Sequence, residues 1–107
     1  MKSSSPLSLC LYVAGTSPKS ILALSNLKKI CEQHIPIKYE LEVVDLNQDP
    51  SQAVGYQIQV LPTLVRKHPE PVKKVVGDLS NVKEVLLEIG LHPNAQLVDK
   101  QEGVQGA

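Results

Sequence analysis

The stretch LSLCLYVAGTSP, residues 7–18, decides the fold of this chain. Leu7 to Val13 is an apolar, β-rich run with the length of a buried strand. The residues after it break the run, and Ser17 followed by Pro18 is typical of a helix N-cap and first helical position, because proline lacks the N–H that would be unpaired there. The sequence therefore predicts an interior strand that leads directly into a helix.

Downstream of Pro18, the sequence predicts one helix and then a half-buried strand. Ile35-Pro36 ends the helix, and its apolar stripe is predicted to comprise Ile21, Leu24, Leu27 or alternatively Ala23, Ile30 and Cys31. Across residues 37–43 apolar and charged side chains alternate, which is the pattern of a strand with one solvated face. Asp49-Pro50 repeats the combination of cap and proline, and predicts a short second helix through about Tyr56.

The second half of the chain predicts a β-hairpin covered by a closing helix. Residues 60–65 and 72–76 are strand-like runs on either side of a turn at residues 68–71. Pro62 is expected at the start or edge of its strand, because proline cannot donate to a ladder. Ser80 is predicted to cap a helix through Ile89, with Gly90 and Pro93 as stop signals.

The resulting order β-α-β-α-β-β-α is the order of thioredoxin, so the expected class is an α/β fold with a thioredoxin-like architecture. By analogy with that fold, we expect the Leu61–Pro62 peptide bond to be cis. Residues 1–6 are predicted to form a flexible arm, residues 7–91 a single domain, and residues 92–107 a disordered tail.

Composition narrows the classes of function. Eleven Lys and Arg balance eleven Asp and Glu, and this neutrality argues against nonspecific attraction to nucleic acid or membranes. The three tyrosines are the only aromatic residues, too few for a platform that stacks bases. The sequence shows neither a secretory signal nor an apolar run long enough to cross a bilayer, so we expect a cytoplasmic domain.

The chemistry-bearing residues do not predict an enzyme. A thioredoxin-type redox site needs Cys-x-x-Cys at the start of the first helix, where this chain has Gly15-Thr-Ser-Pro18. Cys10 and Cys31 are predicted to be small buried hydrophobes. His34, His68 and His92 lack ligand spacing, so no metal or cofactor is expected. Ser17 could activate a thiol cosubstrate, as in glutathione transferases, but capping is the favoured interpretation.

Charge is segregated along the chain even though the total is zero. Negative side chains gather on the predicted second strand, at Glu40, Glu42 and Asp45, and the predicted hairpin carries the basic side chains Arg66, Lys67, His68, Lys73 and Lys74. Such a pattern is compatible with a plainly solvated face, and it can also orient a partner.

Several motifs together resemble one family. Leu11-Tyr-Val-Ala-Gly15 with Thr16-Ser-Pro18, Pro62-Thr-Leu64 and Gly77-Asp-Leu-Ser80 are similar to the KaiB family of cyanobacterial clock proteins, across residues 7–91. The resemblance implies a non-enzymatic, metamorphic binding protein. In the family, a thioredoxin-like form docks on the N-terminal ATPase ring of KaiC, captures KaiA, displaces the sensor kinase SasA and engages the phosphatase CikA. The other form is a tetramer with a rearranged second half.

The resemblance also implies partner contacts by matching position. The edge strand would pair with KaiA-like or kinase partners, the second-helix surface would face the ATPase ring, and the basic hairpin would add contacts to the KaiA-like or kinase partners. These three groups comprise, in that order, Lys38, Glu40 and Glu42; Gln52, Tyr56 and Gln57; and Arg66, Lys73 and Lys74. The family's acidic stretch is replaced here by residues 53–58, and its early helical arginine by Leu22.

One further departure concerns the choice between the two forms. Clock members have Gly-Leu-Asp where this chain has Glu88-Ile-Gly90, and Glu in place of a helical Gly favours a longer final helix. We therefore expect the thioredoxin-like form to be the stable one, with the fold-determining residues Pro62, Pro71, Gly77, Asp78, Glu88 and Gly90. The alternatives are a stand-alone SasA-like signalling domain, a glutathione-binding enzyme and a purely structural subunit.

Overall fold

The computed structural model describes residues 6–92 and 96–97, which are built around a four-stranded sheet. In chain order the elements are β1 (Leu7–Val13), α1 (Pro18–His34), β2 (Tyr39–Asp45), a 3-10 turn (Pro50–Ala53), β3 (Thr63–His68), β4 (Lys73–Val76), α2 (Val82–Glu88), β5 (Leu91–His92) and β6 (Gln96–Leu97).

The sheet has the order β2-β1-β3-β4, with β1 in its interior. β1 pairs in parallel with β2 and antiparallel with β3, and β4 continues the hairpin from β3. Two parallel strands need a crossover between them, and α1 supplies it. β2 and β4 are therefore the two edges of the described sheet.

Both faces of β1 are buried, which explains its nearly continuous apolar sequence. Leu7, Leu9 and Leu11 point to the face covered by α1 and α2, and Cys10 and Tyr12 point to the face covered by the segment after β2. The prediction of an interior strand is confirmed. The buried stripe of α1 is Ser20, Ala23, Leu27, Ile30 and Cys31; Ile21, predicted to belong to it, is 55% exposed.

The predicted second helix is wrong in its extent. Only the single 3-10 turn forms, and turns follow it through Gln57, which has a φ of 55°. Asp49 makes no backbone cap, because its carboxylate accepts hydrogen bonds from the side chains of Ser51 and Gln52 instead. These two bonds lower the pKa of the exposed Asp49 carboxyl group.

The predicted N-cap of α2 is also wrong. Asn81, not Ser80, accepts the hydrogen bond from the Glu84 N–H. The Ser80 N–H is itself engaged by the carboxylate of Asp78, in a turn where Leu79 has a φ of 63°. The turn therefore shifts the start of the helix by one residue.

A second, two-stranded sheet follows α2. β5 and β6 pair as a two-residue antiparallel ladder within and beside the segment predicted to be a tail. The remainder of the predicted arm and tail, residues 1–5, 93–95 and 98–107, lies outside the described residues.

Four of the six positions predicted to determine the fold, Pro62, Pro71, Gly77 and Asp78, lie in the segments that flank β3 and β4. Leu61–Pro62 is cis, as expected, and the carbonyl oxygen of Pro62 accepts a hydrogen bond from the Gly77 N–H at 3.0 Å. Glu70–Pro71 is cis as well, and Gly77 has a φ of 116°. The carbonyl oxygen of Asp78 accepts from Asn26 of α1 at 2.8 Å, which ties the turn to the helix layer. Glu88 is the last residue of α2 and is exposed.

A buried arginine joins the hairpin to the end of α2. Arg66 of β3 is only 7% exposed and donates from Nη1 to the carbonyl oxygen of Ile89 and from Nη2 to that of Pro71, at 2.9 and 2.7 Å. A cation is well placed at the carbonyl end of a helix, because the helix dipole is negative there. We call this arrangement the Arg66 clamp.

Gly90 makes the clamp possible. It has a φ of 91°, and a Cβ at this position would lie 2.6 Å from Nη1 of Arg66. Both the backbone conformation and the close approach of the guanidinium therefore require glycine.

We predict that Gly90→Ala lowers the free energy of unfolding by about 1–3 kcal/mol, since alanine adds backbone strain and displaces the clamp. Chemical denaturation measures the change. The matched control is Gly55→Ala, because a Cβ there meets no atom within 4 Å. Equal stability of Gly90→Ala and Gly55→Ala would contradict this account.

Candidate interaction surface

The start of α1 is built to cap a helix. The Ser17 hydroxyl accepts from the Ser20 N–H at 3.3 Å and donates to the Ser20 hydroxyl at 2.9 Å, and that hydroxyl accepts from the Ala14 N–H. The predicted cap is confirmed. Asp45, at the end of β2, fixes the preceding loop by accepting from the Gly15 N–H at 2.9 Å. The site of thioredoxin-type chemistry is thus occupied by hydroxyls that already bind each other and the backbone.

The two thiols are buried on opposite sides of the sheet. Cys10 is 0% and Cys31 is 3% exposed, as predicted. Burial raises the pKa of the Cys31 thiol from its ordinary value of 9.0 to about 11, and burial likewise raises the pKa of Cys10. Neither thiol has the lowered pKa or the exposure of a reactive cysteine.

The β2 edge is exposed and acidic. Lys38 precedes β2, and Glu40 and Glu42 lie on its solvated side, while Tyr39 and Leu41 pack against the helix-side core. β2 pairs only with β1 in the described sheet, so the backbone groups on its outer side face away from any described strand.

The segment after β2 lies on the same face of the sheet as the two glutamates. Gln52 is exposed and donates to Asp49, Gln57 is exposed, and Tyr56 packs partly against the cluster around Cys10 and Tyr12. The structure therefore brings this predicted group close to the edge strand.

Lys67 connects the two groups. Its ammonium lies 3.5 Å from Oε1 of Glu42 and 6.0 Å from the centre of the Tyr56 ring. The β2 edge and residues 50–57 thus form one continuous area, which we call the Lys67 face. The exposed ion pair itself contributes little to stability.

The predicted basic hairpin does not form a single patch. Lys73 and Lys74 are exposed, but adjacent residues of a strand point to opposite faces. The prediction that Arg66 lies on this surface is wrong, because its guanidinium is buried in the clamp. Burial lowers the pKa of Arg66 by desolvation. Arg66 is therefore unsuited to direct contact with a macromolecular partner.

Neither the exposure of Val54 nor the position of Lys67 between two segments is predicted from the sequence. Val54 is 76% exposed at the tip of the segment after β2, the largest exposed fraction among the described large apolar side chains. The period of two along β3 could have assigned Lys67 to the face opposite Arg66, because Leu64 and Arg66 share one side. No local pattern marks Val54, which lies in the turn that follows the 3-10 turn.

The described residues contain neither a metal-binding cluster nor a membrane-spanning helix. Among residues 6–92 and 96–97, no three His, Cys, Asp or Glu residues are grouped to hold a metal ion. No helix in the described part of the chain has the length and apolarity to cross a bilayer.

The sheet order, the helix layer and the capped helix start define a thioredoxin-like α/β protein whose exposed features are an edge strand and an adjoining loop. The structure is similar to the N-terminal domain of SasA from Synechococcus elongatus, with a TM-score of 0.62 and 25% identity, covering 74% of this chain and 75% of that one. It also resembles mitochondrial thioredoxin 3 from Saccharomyces cerevisiae, with a TM-score of 0.65 and 16% identity, covering 79% and 77%.

Sequence comparisons are more specific. The family profile described as "KaiB domain" matches residues 10–91. The chain is 35% identical over 85 residues to circadian clock protein KaiB3 of Synechocystis, covering 79% of this chain and 83% of that protein. It is 43% identical over 83 residues to circadian clock oscillator protein KaiB of Gloeothece citriformis, covering 78% of each. The chain belongs to the KaiB family.

We predict that Arg66→Gln lowers the free energy of unfolding by roughly 2–3 kcal/mol, because two charge-assisted hydrogen bonds are lost. The control is Lys67→Gln, which removes only a surface ion pair on the opposite face and should change stability by less than about 1 kcal/mol. Urea denaturation compares the two. If both variants have the same free energy of unfolding, the Arg66 clamp does not stabilise the fold.

We also predict that neither thiol reacts with a soluble disulfide reagent at pH 8 while the chain is folded, since about one in a thousand Cys31 side chains is ionised there. The folded pKa lies above the unfolded one, so stability is kept below pH 9.0 and falls as the pH rises toward about 11. Absorbance of the released thiolate follows the reaction, with guanidinium-unfolded protein as the positive control. Rapid labelling of the folded chain would overturn the assignment.

Proposed function

We propose that this chain is a cytoplasmic, non-catalytic adaptor that binds a KaiC-like ATPase ring and modulates its phosphorylation cycle or output. Membership of the KaiB family supports this proposal. The observation that carries it is the Lys67 face, where an edge strand and an adjoining loop present one continuous exposed area beside a helix start that lacks redox thiols.

The ATPase ring is proposed to contact the segment after β2. Val54 is the exposed apolar centre of this segment, and Gln52 and Gln57 are polar and exposed around it. An apolar centre with a polar rim is the common arrangement of a protein interface. Tyr56 adds an amphipathic ring that is already fixed against the sheet, so little side-chain entropy is lost on binding.

The edge strand is proposed to take a second partner, a KaiA-like protein or a kinase of the SasA or CikA type. An extended segment can add to an exposed sheet edge through backbone hydrogen bonds, and the flanking side chains then select the partner. Glu40 and Glu42 would favour a basic segment, with Lys38 at one end. Lys73 and Lys74 would act separately, at the opposite edge of the sheet.

We further propose that the thioredoxin-like form is the stable form of this chain. The Arg66 clamp and the glycine at position 90 both hold the end of α2 against the hairpin. Backbone amide shifts in solution test this directly, and strand-type shifts across residues 82–89 would contradict it.

A second candidate is a stand-alone signalling domain like that of SasA. The similarity to the SasA N-terminal domain, with a TM-score of 0.62, favours it. A glutathione-binding enzyme is less well supported, because the Ser17 hydroxyl is already engaged by Ser20. Titration with glutathione should leave the amides around Ser17 and Pro62 unshifted.

We predict that the chain co-elutes with a KaiC-like hexamer from the same genome in gel filtration with ATP, within minutes of mixing. Val54→Asp should weaken the complex by roughly tenfold, because it places a charge at the centre of the interface. The matched control is Leu87→Asp on α2, an exposed apolar residue on the opposite layer, which should bind as the parent does.

Each result has a distinct meaning. Absence of a complex at tens of micromolar would contradict the proposed partner. Capture only over hours would retain the partner and contradict a preformed thioredoxin-like form. Equal losses for Val54→Asp and Leu87→Asp would move the interface away from the segment after β2.

A further inference from the structure

The two edges of the sheet carry opposite charges on the same side. Glu42 of β2 points to the side that carries Lys67, and Glu40 shares that side because side chains alternate along a strand. At the other edge, Lys74 of β4 pairs with Val65, whose side chain lies in the core on this same side. Glu40, Glu42 and Lys74 are all exposed, so one edge is acidic where the other is basic.

The two edge strands also run in the same direction. β2 is parallel to β1, β3 is antiparallel to β1, and β4 is antiparallel to β3, so β4 is parallel to β2. A second copy placed beside β4 in the same orientation therefore offers β2 as a parallel neighbour and keeps both helix layers on one side. A cavity of about 270 Å³ between β4 and α2 leaves open space beside this edge.

The four residues of β4, 73–76, can lie in register with residues 41–44 of β2. Residues in register on neighbouring strands point to the same side of a sheet. This alignment brings together one pair of opposite charges and two pairs of valines, namely Glu42 with Lys74, Val43 with Val75 and Val44 with Val76. Val43 and Val76 are 44% and 59% exposed in the single chain, so the contact removes apolar surface from water.

Like charges oppose the pairing of either edge with a copy of itself. Two β2 strands joined with their helix layers on a common side bring Glu40 and Glu42 close to the same two residues of the other copy. Two β4 strands do the same with Lys73 and Lys74. Like charges opposite each other destabilise a strand pair, so the charges favour contact between unlike edges.

We propose that this chain associates head to tail with a second copy of itself, through residues 73–76 of one copy and residues 41–44 of the next. The two sheets then continue as one. The contact is heterologous, so each end of an assembly keeps an edge for a further copy. Stable interfaces use about 20–30 residues a side, so a contact built on two short strands is weak and reversible.

This self-association goes beyond the proposed adaptor function and bears on it. A copy whose β2 edge is paired has no such edge to offer the second partner proposed above, whereas Val54 and its neighbours are not part of the contact. A second copy and a partner that adds a strand therefore compete for one edge.

Sedimentation velocity and ¹⁵N–¹H NMR of the full chain over a range of concentrations test the contact. We expect the average mass to rise with concentration without a plateau at a fixed oligomer. The amide shifts of residues 41–44 and 73–76 should move with the mass. Sodium chloride should weaken the association, because the charges at the contact are exposed and screened by salt.

Charge reversal identifies the two edges. Glu42→Lys and Lys74→Glu each place like charges across the contact, and each should lower the association constant by roughly fivefold. The double variant carries an opposite pair in reversed order and should recover the association of the parent. Lys73→Glu is the matched control, because it reverses a charge on the same strand but on the other side of the sheet, and it should retain association.

The proposal is overturned if the chain stays a monomer into the millimolar range, or if the double variant fails to recover the association lost in the single variants. A fixed dimer with shifts confined to one edge would also overturn it, because like edges would then be paired. A fixed tetramer with strand-type shifts across residues 82–89 would do so as well. None of these measurements includes the ATPase ring, so this contact and the adaptor function stand or fall separately.

Discussion

Burial of β1 on both faces is the constraint on which the rest of the structure depends. The strand lies between β2 and β3, and six of its seven residues, all but Ser8, supply side chains to the two core clusters. Leu9 and Leu11 require a helix layer on one side, and Cys10 and Tyr12 require cover on the other. α1, α2 and the segment after β2 are therefore arranged around one strand. A polar substitution at a buried position of β1 would leave an unpaired polar group inside one of the two cores.

The same fold holds redox thiols in thioredoxins, and here the corresponding position carries hydroxyl groups. At the start of α1 the hydroxyls of Ser17 and Ser20 satisfy the first backbone donors, and Asp45 fixes the loop before them. These contacts stabilise the position where thioredoxin chemistry would occur and leave it with nothing to exchange. What the molecule exposes instead is backbone at the β2 edge and apolar surface at Val54. Both are features of binding rather than catalysis.

How far the sequence predicts this structure depends on whether a signal is local. The cap at Ser17 and the turn before β4 are local, and the structure confirms both. The alternation along β2 holds through Glu42 and fails at Val43, which is 44% exposed. The second helix failed because the carboxylate of Asp49 binds side chains and because Gly55 weakens helix propagation, a balance too close for a pattern to decide.

The candidate site was only partly predictable for a related reason. The basic residues of the hairpin predicted a surface position for Arg66. The register of β3 against β1 instead pairs Arg66 with Leu9, so its side chain points to the helix side of the sheet. Its acceptors, the carbonyl oxygens of Ile89 and Pro71, are backbone atoms and carry no sequence signature. Lys67 joins groups from three separate segments, so its place depends on the assembled sheet.

The shared position of Lys67 has a thermodynamic consequence. One ammonium serves a carboxylate on the edge strand and an aromatic ring on the neighbouring segment. A molecule that engages Glu42 changes the electrostatic environment of Lys67, and through it that of Tyr56. If the proposed partners bind both areas, occupancy of one would alter affinity at the other, and linkage would require the effect to be reciprocal by the same factor. The order in which two partners arrive would then affect their rates of assembly while leaving the final free energy unchanged.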